Sequence, residues 1–90
     1  MKMKVRIHGS RIPQELRELE VESWSGDLEG LIKKIVVDHP YYKEYLMDEK
    51  GVRRDLNILV NGRHCMFIDG LKTKIGTEDI IDILFPLVGG

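Results

Sequence analysis

The last two residues of the chain, Gly89 and Gly90, are those whose position points most directly to chemistry. A chain that ends on a bare diglycine after an apolar stretch presents its terminal carboxylate as a reagent. Because glycine makes up about 7% of residues, two glycines at given positions arise by chance about 0.5% of the time. Flexible tails are also often rich in glycine, so the rest of the chain must decide between a reactive end and a flexible one. The hypothesis requires that Gly90 is the native carboxyl terminus.

The composition limits the classes of protein that the chain represents. Ninety residues predict a single domain, 1–90, with its own hydrophobic core. The 14 basic and 15 acidic residues give a formal net charge of −1, which argues against a nucleic-acid or acidic-membrane partner. A single cysteine, Cys65, excludes an internal disulfide and any four-thiolate metal or iron–sulfur site. No apolar run reaches the length of a signal peptide core or a membrane span, so we expect a cytoplasmic protein.

The first half of the chain changes from a strand period to a helix period. Residues 2–8 alternate polar and apolar types, which predicts a half-buried strand, and 18–23 predict a second strand antiparallel to it. An amphipathic helix is predicted next from apolar residues at i, i+3, i+4, i+7 and i+8, namely Leu28, Leu31, Ile32, Ile35 and Val36. Ser25 is the predicted N-cap, and Pro40 ends the helix. Residues 41–47 are expected to form a short second helix.

The second half predicts three further strands. Residues 56–61 alternate as a third strand, and the Asn61-Gly62 pair predicts a tight hairpin turn into a fourth strand over 63–67. The last strand is predicted over 79–85. Alternation places Ile81 and Ile83 on one face of this strand, and Ile80, Asp82 and Leu84 on the other.

The order of these elements predicts an α+β protein with a ubiquitin-like β-grasp fold. The expected architecture is a mixed sheet of about five strands, with one main helix packed on one face. In this fold the last strand lies centrally and parallel to the first. A central last strand gives the tail, residues 86–90, a rigid base, and we expect the tail itself to be flexible.

Three passages of the chain resemble a known family. They are Leu-Asn-Ile-Leu-Val-Asn-Gly-Arg at 56–63, Asp-Gly-Leu-Lys-Thr-Lys-Ile at 69–75, and Ile-Leu-Phe-Pro-Leu-Val-Gly-Gly at 83–90. In these passages the chain resembles the MoaD-like small subunits of molybdopterin synthase, which are ubiquitin-like β-grasp sulfur carriers of the MoaD/ThiS superfamily. Two prolines usually precede the tail in that family, whereas here Phe85 stands before Pro86. The carriers of thiamine biosynthesis are typically shorter and lack a Phe-Pro approach to the tail.

The resemblance implies a function for the diglycine. A MoeB-like activating enzyme would use ATP to adenylate Gly90, and sulfur would then convert it to a thiocarboxylate. A MoaE-like large subunit would use that sulfur to make the pterin cofactor of molybdenum or tungsten. The chain would bind no cofactor and would act as a non-catalytic subunit, or a co-substrate, of the synthase. Gly89 and Gly90 would pass through a narrow channel that excludes side chains.

The resemblance also implies a docking surface for both partners. Its predicted residues are Leu59, Ile80 and Leu84 on the outward face of the sheet, followed by Phe85, Pro86, Leu87 and Val88. The alternative is that the first three are ordinary sheet residues. Phe85 either belongs to the same surface or packs the base of the tail.

The sequence is also compatible with other functions and sites. The same tail would serve a protein modifier that is linked through Gly90 to lysines, or a sulfur donor for tRNA thiolation. An interaction module with incidental glycines is the third alternative. The basic residues Lys2, Lys4, Arg6 and His8 share one strand face, and we interpret them as a solvated face rather than a binding site. Cys65 is expected to be structural, and the histidines lack the spacing of metal ligands, so no metal site is predicted.

Overall fold

The computed structural model describes residues 2–22 and 24–86. Its strands are β1 (Lys2–His8), β2 (Glu18–Glu22), β3 (Gly26–Asp27), β4 (Met47–Asp48), β5 (Gly51–Val52), β6 (Asn57–Val60), β7 (Arg63–His64), β8 (Lys74–Ile75) and β9 (Ile80–Leu84). Its α-helices are α1 (Leu28–Asp38) and α2 (Lys43–Leu46). Single 3₁₀ turns occupy Gln14–Leu16, Pro40–Tyr42, Cys65–Phe67 and Gly70–Lys72.

Five strands form the main sheet, in the order β2-β1-β9-β6-β7. Strand β9 pairs parallel with β1 and antiparallel with β6, so the last strand lies at the centre of a mixed sheet. Two small two-stranded sheets, β3 with β8 and β4 with β5, were not predicted from the sequence. The mixed sheet and its helix confirm the predicted ubiquitin-like β-grasp fold.

Helix α1 buries four residues of the predicted stripe and partly buries the fifth, Val36, but it begins with a different cap. Its N-cap is Asp27, whose carboxylate accepts a hydrogen bond from the Gly30 amide at 2.8 Å. The prediction of Ser25 as the cap was wrong, because Gly26 and Asp27 pair with β8 and move the first helical residue to Leu28. Pro40 follows the end of the helix as expected.

The hairpin after β6 has the predicted turn but a much shorter second arm. Asn61 and Gly62 have φ angles of 53° and 86°, the left-handed conformation that a two-residue turn requires. The predicted strand over 63–67 was wrong beyond His64, because the chain enters a 3₁₀ turn at Cys65. The Met66 amide donates to His64 Nδ1 at 3.1 Å and supports this turn. Cys65 is buried in the core, and its burial raises the pKa of the thiol.

The core lies between α1 and the inner face of the sheet. One cluster contains the helix stripe, the inward residues of the strands and the buried Tyr42 from the turn before α2. The Tyr42 hydroxyl donates to the Leu16 carbonyl at 2.8 Å, which ties that turn to the residues just before β2. Every buried side-chain nitrogen and oxygen of the described residues has a hydrogen-bond partner. The helices within 2–22 and 24–86 are too short or too polar to cross a membrane.

Candidate functional site

The candidate site begins where β9 ends. Strand β9 is hydrogen-bonded on both sides, to β1 and to β6, and is followed directly by Phe85 and Pro86. A strand held on both sides is a rigid point of departure for whatever follows it. The predicted site residues Leu87, Val88, Gly89 and Gly90 lie outside the described residues.

Phe85 packs the base of the tail. A Cβ atom placed on Gly9 would come within 3.0 Å of the Phe85 ring, so the ring lies directly against the backbone after β1. The Arg53 guanidinium carbon lies 5.6 Å from the centroid of the same ring, within the range of a cation–π contact. A groove of about 560 Å³ opens beside this ring and is also lined by Pro86. Phe85 therefore packs at the base of the tail, and its part in the docking surface stays a prediction.

The three predicted docking residues of the sheet lie on its outer face. Ile80 is 40% exposed, and Leu59 and Leu84 are half-buried. They do not form an uninterrupted apolar patch, because Asp82 lies between Ile80 and Leu84 along β9 and opposite Leu59 on β6. The outer face beside the tail therefore combines apolar side chains with a central carboxylate.

Asp82 is held by two residues of β1. Its Oδ1 accepts from Arg6 Nε at 2.7 Å and lies 2.8 Å from His8 Nε2, and its Oδ2 accepts from Arg6 Nη2 at 2.9 Å. The carboxylate side chain is only 10% exposed, whereas those of Arg6 and His8 are about half exposed. The hydrogen bonds from Arg6 hold the pKa of the Asp82 carboxyl below its ordinary range.

Sequence reasoning missed this cluster of Arg6, His8 and Asp82. It treated the basic residues of β1 as a solvated face, and for Lys2 and Lys4 the structure agrees, since both are exposed. The parallel register places Arg6 beside Asp82 and His8 beside Leu84. The sequence did contain a signal, namely Asp82 between two isoleucines of the predicted central strand. A carboxylate in such a position needs a hydrogen-bonding or charged partner.

Sequence reasoning also missed an apolar surface at the turn after β7. Met66 and Phe67 are 78% and 75% exposed, and Ile68 beside them is exposed as well. The ring of His64 lies edge-on to that of Phe67, with the centroids 6.3 Å apart. Because His64 pairs with Leu59 across the hairpin, this turn continues the outer face that carries the predicted docking residues. The signal was the run of three apolar residues, which a strand with one buried face does not contain.

The described residues contain no cluster of three or more His, Cys, Asp or Glu side chains that is arranged to hold a metal ion. The candidate site therefore consists of the root of the tail and the outer face of the sheet. What the described residues offer is a fixed base for the residues after Pro86 and a surface for recognition.

Comparison with family models gives a match to the ThiS family over residues 10–90. The match therefore includes the diglycine and every strand and helix except β1. Among curated proteins, none matches the sequence.

Several solved structures share the fold along nearly the whole chain. The small archaeal modifier protein 1 from Methanosarcina acetivorans is 26% identical with a TM-score of 0.73, over 99% of this chain and 96% of its own. CysO from Amycolatopsis orientalis, solved in complex with BexX, is 27% identical with a TM-score of 0.69, over 98% of this chain and 99% of its own. A putative molybdopterin converting factor subunit 1 from Pyrococcus furiosus is 27% identical with a TM-score of 0.64, over 96% and 98%. The chain therefore belongs to the ThiS family, among the MoaD/ThiS ubiquitin-like sulfur carriers.

Proposed function

We propose that this protein carries sulfur as a thiocarboxylate on Gly90 and donates it in the synthesis of the molybdenum or tungsten pterin cofactor. The observation that carries the proposal is the family match, which runs through the diglycine of a chain whose central strand leads into it. The similarity to the putative molybdopterin converting factor subunit 1 of Pyrococcus furiosus supports the pterin route.

The proposed chemistry starts from an unreactive group. A carboxylate is a poor electrophile because its charge is delocalised and oxide is a poor leaving group. In the first step a carboxylate oxygen of Gly90 attacks the α-phosphate of ATP, and pyrophosphate leaves. In the second step hydrosulfide attacks the acyl carbon, the bond to AMP breaks and AMP leaves, which gives the thiocarboxylate after loss of a proton. Both steps take place in an activating enzyme of the MoeB type.

The contribution of this chain is to present the tail. Phe85 contacts both Gly9 and Arg53, so we propose that it anchors the start of the tail. Fewer mobile residues mean less conformational entropy lost when the tail is bound, at about 1–2 kcal/mol for each backbone residue fixed. The absence of side chains on Gly89 and Gly90 lets the end of the chain enter a narrow channel.

Docking requires a surface beside the tail, and the outer face of the sheet is the candidate. It offers Ile80, Leu84 and the exposed Phe67 as apolar anchors, around the fixed charges of Arg6 and Asp82. Apolar anchors surrounded by oriented polar groups are typical of protein interfaces. We propose that both the activating enzyme and a MoaE-like synthase subunit bind here in turn.

The first test is the intact mass of the chain after incubation with ATP, its activating enzyme and a sulfur donor. A gain equal to the replacement of one oxygen by one sulfur, absent when Gly90 is deleted, is the expected result. The matched control is Gly76→Ala, because Gly76 has ordinary φ and open space where a Cβ would lie. We expect Gly76→Ala to gain the mass and Gly90→Ala to lose most of it. An unchanged mass in all variants, with an enzyme that is active on another carrier, would contradict the proposal.

A second candidate function is that of a protein modifier linked through Gly90 to lysines. It is favoured by the 26% identity to the small archaeal modifier protein 1 of Methanosarcina acetivorans. Lys74 is the last tryptic site before the end of the chain, so a conjugate leaves residues 75–90 on the target lysine. Tryptic peptides of other proteins that carry this remnant, lost on deletion of Gly90, would support it. Supplying the thiocarboxylated chain to a synthase subunit with the pterin precursor, or to a tRNA thiolation system, identifies the sulfur acceptor.

A further inference from the structure

Strand β2 is an open edge of the main sheet. Of the strands that the structure describes, only β1 pairs with it, and the Ile7 amide donates to the Arg17 carbonyl at 2.7 Å just before β2 begins. In an antiparallel ladder every second pair is hydrogen-bonded, so the bonded residues continue at Leu19 and Val21. The backbone groups of Glu18, Glu20 and Glu22 therefore point away from the sheet. Within residues 2–22 and 24–86, no backbone group donates to or accepts from them on that side.

A groove runs beside this edge, between β2 and α1. It has a volume of about 220 Å³, and its apolar lining comes from Leu19, Val21 and Ile35. Lys34 and Asp38, which form an ion pair at 2.9 Å, border it on the helix side. A strand added to β2 would point alternate side chains toward this groove and the others toward the outer face.

The charges along the edge determine which residues a bound segment must carry. The exposed side chains of Glu18, Glu20 and Glu22 form an acidic row on the outer face. Among the described residues, the only cation within 4 Å of this row is Lys4, which lies 3.6 Å from Glu18, while Arg6 is occupied by Asp82. A second copy of β2 would place glutamate against glutamate, which is unfavourable. A segment with lysine or arginine at alternate positions would place opposite charges there.

We propose that the β2 edge binds an extended segment of a partner protein by strand addition, and that this segment alternates basic and apolar residues. Its backbone pairs with Glu18, Glu20 and Glu22, its basic side chains face the acidic row, and its apolar side chains enter the groove. Strand β1 separates this edge from β9, so a partner bound at the edge does not cover the central strand. The proposal does not depend on sulfur chemistry.

The test uses the full chain and a synthetic peptide with blocked ends, Lys-Val-Lys-Val-Lys-Val-Lys. On titration into ¹⁵N-labelled protein, we expect the largest amide shifts and new protection from hydrogen exchange at Glu18, Glu20 and Glu22. Two control peptides are Glu-Val-Glu-Val-Glu-Val-Glu and the block isomer Lys-Lys-Lys-Lys-Val-Val-Val. Binding of the block isomer as tightly as the alternating peptide would overturn the proposal, because it would show charge attraction without strand pairing. Shifts centred on β7 or on the turn after it would also overturn the proposal.

Two double variants test the charge selection. Glu20→Lys with Glu22→Lys is expected to weaken binding of the alternating lysine peptide about tenfold, since each cross-strand charge pair changes from attractive to repulsive. Glu44→Lys with Glu49→Lys makes the same change of net charge away from the edge and is expected to change the Kd by less than about twofold. Equal weakening by both pairs, or a wild-type chain that dimerises through β2 instead of binding the peptide, would overturn the proposal.

One further variant tests the backbone contacts. Glu20→Pro removes an amide that points away from the sheet and leaves the hydrogen bonds to β1 intact. Edge strands tolerate proline at such positions. We expect it to weaken peptide binding in a chain whose spectrum remains dispersed. Undiminished binding by the folded variant would overturn strand addition. If this variant does not fold, the binding of the three peptides to the wild-type chain still tests the proposal.

Discussion

Strands β1 and β9 lie side by side at the centre of the sheet, and their two faces are built on different principles. On the inner face, five side chains are almost completely buried in one apolar cluster, namely Met3, Val5, Ile7, Ile81 and Ile83. On the outer face, Arg6 and His8 of β1 hold Asp82 of β9 through directed hydrogen bonds. Neighbouring residues of each strand point to opposite faces. The inner face is held by the packing of apolar side chains, and the outer face by hydrogen bonds between individual atoms.

The comparison teaches where stability and recognition reside. Buried apolar area stabilises the fold without direction, at about 25 cal/mol for each Å² removed from water. The outer cluster adds less free energy, because Arg6 and His8 remain half exposed to water. It does, however, fix the orientation of charges on the surface that surrounds the tail. Four predictions test this division, and they follow from the largest expected effect to the smallest.

Removing volume from the inner face is expected to have the largest effect. Ile83→Ala leaves a cavity in the core and should lower the free energy of unfolding by about 3 kcal/mol. Ile80→Ala, on the partly exposed outer face of the same strand, should cost less than about 1 kcal/mol. Urea denaturation of both variants measures the difference. Equal losses would contradict the view that the inner face contributes most of the stability.

Removing the charge of Asp82 is expected to have an intermediate effect. Asp82→Asn keeps the shape of the side chain but weakens the bonds from Arg6 and His8, and should cost about 1–2 kcal/mol. Asp55→Asn is the matched control, because its pair with Arg53 is similar in geometry but its carboxylate is more exposed than that of Asp82. It should cost less than about 1 kcal/mol. A larger loss for the Asp55 variant, measured in the same way, would contradict this ranking.

The Asp82 contribution should also depend on pH. The pKa of this carboxyl is lower in the folded chain than its ordinary value of 3.8. The unfolded chain therefore binds the proton first, so the stabilisation is complete above the unfolded pKa and is lost as pH falls through the folded pKa. The gap in unfolding free energy between wild type and Asp82→Asn should shrink between about pH 7 and about pH 3. A gap that stays constant would show that the ionised carboxylate is not the stabilising species.

The smallest effect is expected for the exposed ion pair of the same outer face. Lys4 and Glu18 approach to 3.6 Å, and both side chains are at least half exposed. Lys4→Gln should change the free energy of unfolding by less than about 0.5 kcal/mol, because exposed pairs gain little over their hydration. Chemical denaturation at low and at high salt measures it. A cost equal to that of Asp82→Asn would remove the distinction between the anchored and the solvated parts of this face.

Local patterns were sufficient for most of the fold. Alternation located β1, β2, β6 and β9, and the 3.6-residue period located the buried stripe of α1. Patterns failed where two local solutions were equally good. Ser25 and Asp27 are both good N-caps, and only the pairing of β3 with β8 selects Asp27. The apolar run through Met66 and Phe67 resembles a strand, but the hairpin arm ends at His64 and leaves both side chains in solvent.

By itself the sequence determined most of the buried positions, the order of the main strands and helices, and the diglycine, because these depend on residue types at short spacings. Only the tertiary structure decided which distant residues meet. Arg6 and Asp82 are 76 positions apart, and they meet because the parallel register of β1 and β9 aligns them. That register is set by the packing of the whole inner face, since a slip of one residue would turn the apolar side chains outward. The charged centre of the outer face and the open edge at β2 follow from that packing.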